Sequence, residues 1–212
     1  MMHLKFESLG ETWINLVNLT VQAGTRLNNQ AYELLGAEVA FPARTEGDPV
    51  IGQFGDPQMI ADMGTVFFTS HANASGHSYA ALMRGPGGRQ DLQDVIALLR
   101  SDPWSKRAVV TLCGSPDGKV PCINVIQFLI RDKAVRTTYF ARGQDAFRKF
   151  YADGLCIAAM ARTVSGGLEL PAETVAGYIA SSHVYDQDMA DIKRMLVQGQ
   201  GYLRAGGCKG AV

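Results

Sequence analysis

Residues 120–145 read VPCINVIQFLIRDKAVRTTYFARGQD. Two apolar runs rich in β-branched and aromatic residues, Cys122 to Ile130 and Ala134 to Phe140, flank the polar turn Arg131-Asp132-Lys133. That pattern predicts a β-hairpin. With the turn at Asp132, Cys122 and Arg142 each lie ten residues away and so fall opposite one another. The pattern then changes. A short helix is predicted over Asp145 to Tyr151, and Leu155 to Val164 (LCIAAMARTV) is apolar nearly all round, as a buried central helix would be. Thr174 to Val184 reads as a strand and Asp188 to Leu196 as a closing helix. From Gln198 the chain is Gly-rich and is expected to be loosely held.

Upstream, Trp13, Leu16, Val17 and Val21 form a helical stripe over Glu11 to Ala23 that stops at Gly24. Tyr32 to Phe41 reads as a strand. The stretch Pro42 to Ser78 is rich in Gly, Pro and Asp, with a short helix around Gln58 to Met63 and an apolar patch at Val66-Phe67-Phe68. Asp91 to Arg100 is an amphipathic helix with Leu92, Val95, Ile96 and Leu99 on one face, and Arg107 to Cys113 follows as a strand. No repeat and no linker is visible. Residues 1–212 are therefore expected to form a single α/β (α+β) domain, a mixed sheet packed with helices.

The 212 residues carry 20 basic and 20 acidic side chains, 47% hydrophobic residues, 19% charged residues and 23 glycines. A neutral balance, with pI near 6.9, argues against a partner held by bulk charge, whether a nucleic acid polymer or a membrane surface. No window approaches 18 uninterrupted apolar residues, and the start MMHLKFESLG lacks a secretory pattern. The four cysteines, Cys113, Cys122, Cys156 and Cys208, form no CxxC pair and no zinc spacing, so no metal site is expected. Thinly spread cysteines of this kind read as reduced thiols in a cytoplasmic protein.

Several side chains have an ordinary and a chemical reading. Cys122 opens an apolar strand after Pro121 and could be a small buried hydrophobe. Arg142 opposite it offers the positive charge a thiolate needs. Asp145 and Asp153 both read locally as helix N-caps. His183 and Tyr185 share a strand face by the period of two, where they could be structural or could hold two hydroxyls of a sugar. Lys106 and Arg107 alone would be a solvated face.

The run V-P-C-I-N-V-I-Q-F, then Y-F-A-R-G-Q-D, then the apolar helix, then S-S-H-V-Y resembles the catalytic half of thymidylate synthases. That family shows P-C-H-x-x-x-Q-F, Y-Q-R-S-x-D, F-N-I-A-S and D-x-H-x-Y in this order, and Cys122 to Tyr185 aligns without a gap. Weaker likenesses lie in S-K-R-A-V-V, in Gly76-His77-Ser78-Tyr79 with Arg84, in Gly24-Thr25-Arg26 and in Leu35-Gly36. The resemblance implies a thymidylate-synthase-like fold and a homodimer. It makes Cys122 the nucleophile on carbon 6 of a pyrimidine nucleoside monophosphate, with Tyr79 an active-site tyrosine. Arg142 and Arg26 become phosphate ligands, and Lys106 with Arg107 the pair lent to the partner's phosphate. Gln127 lines the site, His183 and Tyr185 hold the sugar hydroxyl, and Asp145 contacts the pterin of 5,10-methylenetetrahydrofolate.

The departures are specific. Asp153 stands where the family has a base-reading asparagine, as in the (deoxy)cytidylate hydroxymethylases that the chain resembles most. A carboxyl group suits cytosine, since it accepts from the 4-amino group when ionised and donates to N3 when protonated. Ile123 replaces a histidine and Gly143 a serine. The family's E-L-L-W-F helix has no clear match, Asp62 being the best substitute for its glutamate, and the aromatics after it are thinned to Val66-Phe67-Phe68. Beyond Leu196 nothing matches the family's C-terminal strand and folate-closing tail. An unlidded site would admit water to the exocyclic methylene, which gives a hydroxymethyl product, whereas methylation needs a dry cavity. The expected function is C5 hydroxymethylation of CMP or dCMP. The alternatives are methylation of dUMP or a cytidylate, and nucleotide binding without turnover.

Overall fold

The chain is described by a computed structural model over residues 2–71, 78–84, 91–112 and 120–204. After β1 (Met2–Lys5), the Ser8 hydroxyl accepts from Glu11 N at 3.1 Å and starts α1 (Leu9–Ala23). The helix stops at Gly24, where a Cβ would come within 2.2 Å of the Thr20 carbonyl oxygen. Next come β2 (Thr25–Leu27) and the long β3 (Ala31–Pro42). Two Asp-Pro pairs then open two helices. Asp48 accepts from Val50 N and Ile51 N at the start of α2 (Pro49–Phe54), and Asp56 accepts from Gln58 N at the start of α3 (Pro57–Phe68). The short helix expected around Gln58 is thus twelve residues long and absorbs the Val66-Phe67-Phe68 patch. Aspartate before proline caps and presets the first turn.

Then follow α4 (Tyr79–Arg84), α5 (Leu92–Ser101), β4 (Val109–Thr111), β5 (Ile123–Arg131) and β6 (Ala134–Ala141). Asp91 caps α5 in a reciprocal box with Asp94. The hairpin is as expected: Arg131 pairs with Ala134 across Asp132 and Lys133, whose φ angles of 53° and 62° suit a tight type I′ turn. The short helix expected at Asp145 is absent. Gln144–Asp145 forms a two-residue strand, β7, and residues 146–149 turn before α6 (Phe150–Leu168). Trp13 Nε1 donates to the carbonyls of Ala146 and Phe147 at 2.9 and 3.1 Å, which diverts those acceptors from a helix. Asp153 is therefore no N-cap; it lies in the first turn of α6, its N–H donating to Lys149 O.

The chain closes with β8 (Ala172–Tyr185), a 3-10 turn and α7 (Met189–Gln198). The tail is held at least to Arg204, through Asn15 Nδ2 to Tyr202 O at 3.0 Å and Arg204 N to Asn15 Oδ1 at 3.0 Å. The sheet order is β1-β3-β8-β6-β5-β4, with β2 on β3 and β7 on β8. It is mixed: β1/β3, β6/β8 and β7/β8 run parallel and the remaining pairs antiparallel. One apolar cluster runs from Leu4 to Met195, with α6 buried through Phe150, Ile157, Met160, Ala161 and Val164. Along β8 the buried positions are Val175, Gly177 and Ile179, then Ser182 and Val184. The alternation changes phase between 179 and 182, opposite Gly36 at φ +70°. Without that change His183 and Tyr185 would point into the core.

Candidate active site

Cys122 sits half-buried just before β5. Its carbonyl accepts from Arg142 N at 2.9 Å, so the two residues are opposite each other, as the hairpin count requires. They line a cleft of about 380 Å³ together with Tyr79, Gln144, Asp145, Lys149, Asp153, His183 and Tyr185. Arg142 does more than face the thiol. Its guanidinium donates to the carbonyls of Val120 (2.6 and 3.1 Å) and Pro121 (3.0 Å), fixing the backbone that presents Cys122. Burial pushes the Cys122 thiol up and the Asp153 carboxylate pushes it further, against the pull of Arg142 and Lys149. Cys122 therefore rests as a thiol.

Asp153 forms the deep wall, only 4% exposed. Its Oδ2 accepts from Gln144 Nε2 at 2.8 Å, while its Oδ1 is buried without a partner. Burial pushes this carboxyl up to about 7, even though the Gln144 amide and Lys149 favour its ionised form. Gln144 Oε1 is likewise buried and unpartnered. A buried acceptor without a donor costs about 1–3 kcal/mol, a cost that a donor brought to either atom would relieve.

Asp145 stands on β7 with Oδ1 accepting from Phe147 N and Arg148 N, a turn cap and not a helix cap. Burial raises it, opposed first by the Arg148 backbone N–H and then by His183. Tyr79 is buried and pushed well above the ordinary phenol range by that burial. The His183 and Tyr185 rings meet edge to face at 5.2 Å. Lys149 ends the turn before α6 and reaches the cleft where a helix N-terminus would favour an anion. No hydrogen bond or ion pair engages its ammonium among the described residues.

Other expected site residues lie elsewhere. Asp62 is on the exposed face of α3, accepting from Gln58 Nε2 at 2.8 Å, while Met59 and Met63 of that helix face the cleft. Arg26 is paired with Asp186, Nη2 to Oδ2 at 2.7 Å, and lies over the Tyr32 ring. Gln127 turns away and donates to Lys106 O at 2.8 Å. Lys106 and Arg107 are exposed, Arg107 lying 3.9 Å from Asp102. None of these five lines the cleft. Gly76, His77, Cys113, Cys208 and the Arg84 side chain fall outside the described residues.

The sequence reading passed over Gln144, Lys149 and Arg148. Gln144 was visible between Arg142 and Asp145, but nothing local shows that it meets Asp153. Arg148 holds the buried Asp188 through Nε at 2.9 Å to both oxygens. With Met59, Arg148 also borders an adjoining cavity of about 480 Å³ lined by Trp13, Phe54, Phe147 and Tyr151. Among the described residues no group of three or more His, Cys, Asp or Glu could hold a metal ion, and no helix is long and apolar enough to cross a membrane.

A family model described as thymidylate synthase matches residues 52–202. Three archaeal proteins named putative thymidylate synthase are similar at low identity. That of Methanothermobacter thermautotrophicus is 20% identical over 149 residues, 68% of this chain and 67% of that protein. That of Methanocaldococcus jannaschii is 25% identical over 101 residues, 47% of this chain and 46% of the other. That of Methanothermobacter marburgensis is 18% identical over 219 residues, 92% of this chain and 98% of the other.

Proposed function

The chain belongs to the thymidylate synthase family, and on that premise we propose that it transfers a one-carbon unit to carbon 5 of a pyrimidine nucleoside monophosphate, with CMP or dCMP as acceptor and a hydroxymethyl group as product. The observation that carries the cytosine reading is the buried, unpartnered Asp153 Oδ1 in the same cleft as Cys122.

The Cys122 thiol releases its proton to solvent, the sulfur adds to carbon 6 as the carbon 5–carbon 6 double bond opens, and the electron density spreads to carbon 5, N3 and the substituent at position 4. Asp153, half protonated near pH 7, holds at Oδ1 the proton that N3 needs as this charge arrives. A uracil ring presents N3–H there and has no use for a donor. While Asp153 is neutral it no longer repels a thiolate, so protonation of the carboxyl and ionisation of Cys122 assist each other. Arg142 keeps the Cys122 segment in place and offers charge to the 5′-phosphate. His183 and Tyr185 hold the sugar hydroxyl. Lys106 and Arg107 serve the phosphate in a second copy's cleft, which makes the working unit a homodimer.

The family's one-carbon donor, 5,10-methylenetetrahydrofolate, supplies the methylene unit when bound. The residues fit such a group: Asp145 stands beside Met59 and Arg148, where the cleft meets the aromatic-lined cavity. The exposed Arg142 and Gln187 at the rim let water reach carbon 5, which favours the hydroxymethyl product. Methylation, as in dUMP conversion, is the second reading, favoured by the names of the relatives.

The test is tritium release from carbon 5 of labelled CMP, dCMP and dUMP, with and without the folate. We expect release to favour a cytosine nucleotide and to fall to background in Cys122→Ala. Asp153→Asn should move the preference toward uracil by about tenfold or more. Tetrahydrofolate as product indicates hydroxymethylation and dihydrofolate methylation. Release from dUMP alone would overturn the cytosine assignment. No release from any substrate, with nucleotide binding intact, would leave binding without turnover.

A further inference from the structure

We propose that Gln144 reads position 4 of the base, its Oε1 accepting from the exocyclic amino group of cytosine while the Asp153 to which it is hydrogen-bonded reads N3. This rests on the cytosine reading above and adds to it a residue that determines specificity.

The inference follows from counting donors and acceptors. Gln144 Nε2 is committed to Asp153 Oδ2 at 2.8 Å, which leaves the other oxygen of each residue, Gln144 Oε1 and Asp153 Oδ1, buried without a partner. Both residues line the cleft that holds Cys122. Cytosine offers along one edge an acceptor, N3, and next to it a donor, the 4-amino group; uracil offers the reverse. A protonated Oδ1 and a free Oε1 match the cytosine edge. A uracil O4 in the same pose would face Oε1 as acceptor against acceptor, with no hydrogen between them. That mismatch costs far more than a missing methylene would, because a buried polar atom is left unpaired.

The backbone supports a fixed reading head. Gln144 is 1% exposed and sits on β7, in register with Ser182 of β8, so the sheet carries it. Asp153 comes from the first turn of α6, and the hydrogen bond therefore ties strand to helix. Each side chain holds the other's rotamer, as a preorganised site requires. If the amide were reversed, Nε2 would meet position 4 and the cleft would favour uracil, so the orientation is itself under test.

The experiment measures Kd for CMP and UMP by calorimetry on the whole chain, for wild type, Gln144→Met and Gln144→Asn. Methionine keeps the volume and removes both polar atoms, while asparagine keeps the amide and withdraws it by one methylene. We expect wild type to prefer CMP, and both variants to lower the CMP/UMP ratio by about tenfold or more. The ratio is the readout because a merely structural loss weakens both nucleotides alike. If wild type prefers CMP and the ratio survives in both variants, Gln144 is not a reader and the cytosine assignment still stands. A wild-type preference for UMP overturns both. If Gln144→Met does not fold, the ratio in Gln144→Asn decides alone.

Discussion

Asp153 is the residue whose environment and chemistry are most tightly joined. Its carboxyl rises from an ordinary 3.8 to about 7 because the ion would be buried with one oxygen unmatched. In the unfolded chain the same group ionises near its ordinary value. Between these two values the folded state binds the proton that the unfolded state has released, so the contribution of Asp153 to stability falls as pH rises from about 4 to 7. Above 7 the whole cost is present, with a ceiling of about 4 kcal/mol. Asp153→Asn should remove that slope. Urea unfolding at pH 4 and pH 8 should show the variant gaining on wild type at the higher pH, and an equal difference at both pH values would refute the assignment. On the proposed mechanism, in which this acid donates a proton, the cost is stability traded for function. Cys122 follows the same logic: a neighbouring cation was expected to ionise it, yet burial and Asp153 outweigh Arg142 and Lys149.

At the scale of elements, the segment from Gln144 to Lys149 separates what pattern foretells from what packing imposes. Asp145 looks like an N-cap, and it does cap, but only a turn. The helix is pre-empted because the fully buried Trp13 of α1, 1% exposed, donates to the carbonyls of Ala146 and Phe147. Trp13→Phe would leave those acceptors short of a donor and a void beside Tyr151, whose ring centroid lies 4.2 Å away. The expected loss is about 2–3 kcal/mol in urea unfolding. A loss below about 0.5 kcal/mol would mean that the indole does not hold the turn. The phase change in β8 is a second case. Period-two reading correctly puts His183 and Tyr185 on one face, but the shift opposite Gly36 turns that face to the cleft.

Taken whole, the described residues share one apolar cluster in which α6 packs against α1, α3, α5 and the sheet. The strands that carry the site cannot come apart without opening that cluster. Unfolding followed by far-UV circular dichroism and by alkylation of the buried Cys156 should therefore give coincident transitions; two separated transitions would contradict a shared core. The sequence by itself determined the features governed by neighbours in the chain. These are the hairpin and its turn, the pairing of Cys122 with Arg142, the buried helix, and the family carried by those motifs. Backbone pairing counts residues, so spacing is enough to read it. Only the tertiary structure decided which side chains share a cavity. It joined Gln144 to Asp153, brought Lys149 to the thiol, and turned Asp62 to the exposed face of α3. It also spent Arg26 on Asp186, 160 residues away. A local period fixes which residues share a face, but what that face meets depends on contacts that lie far apart in sequence.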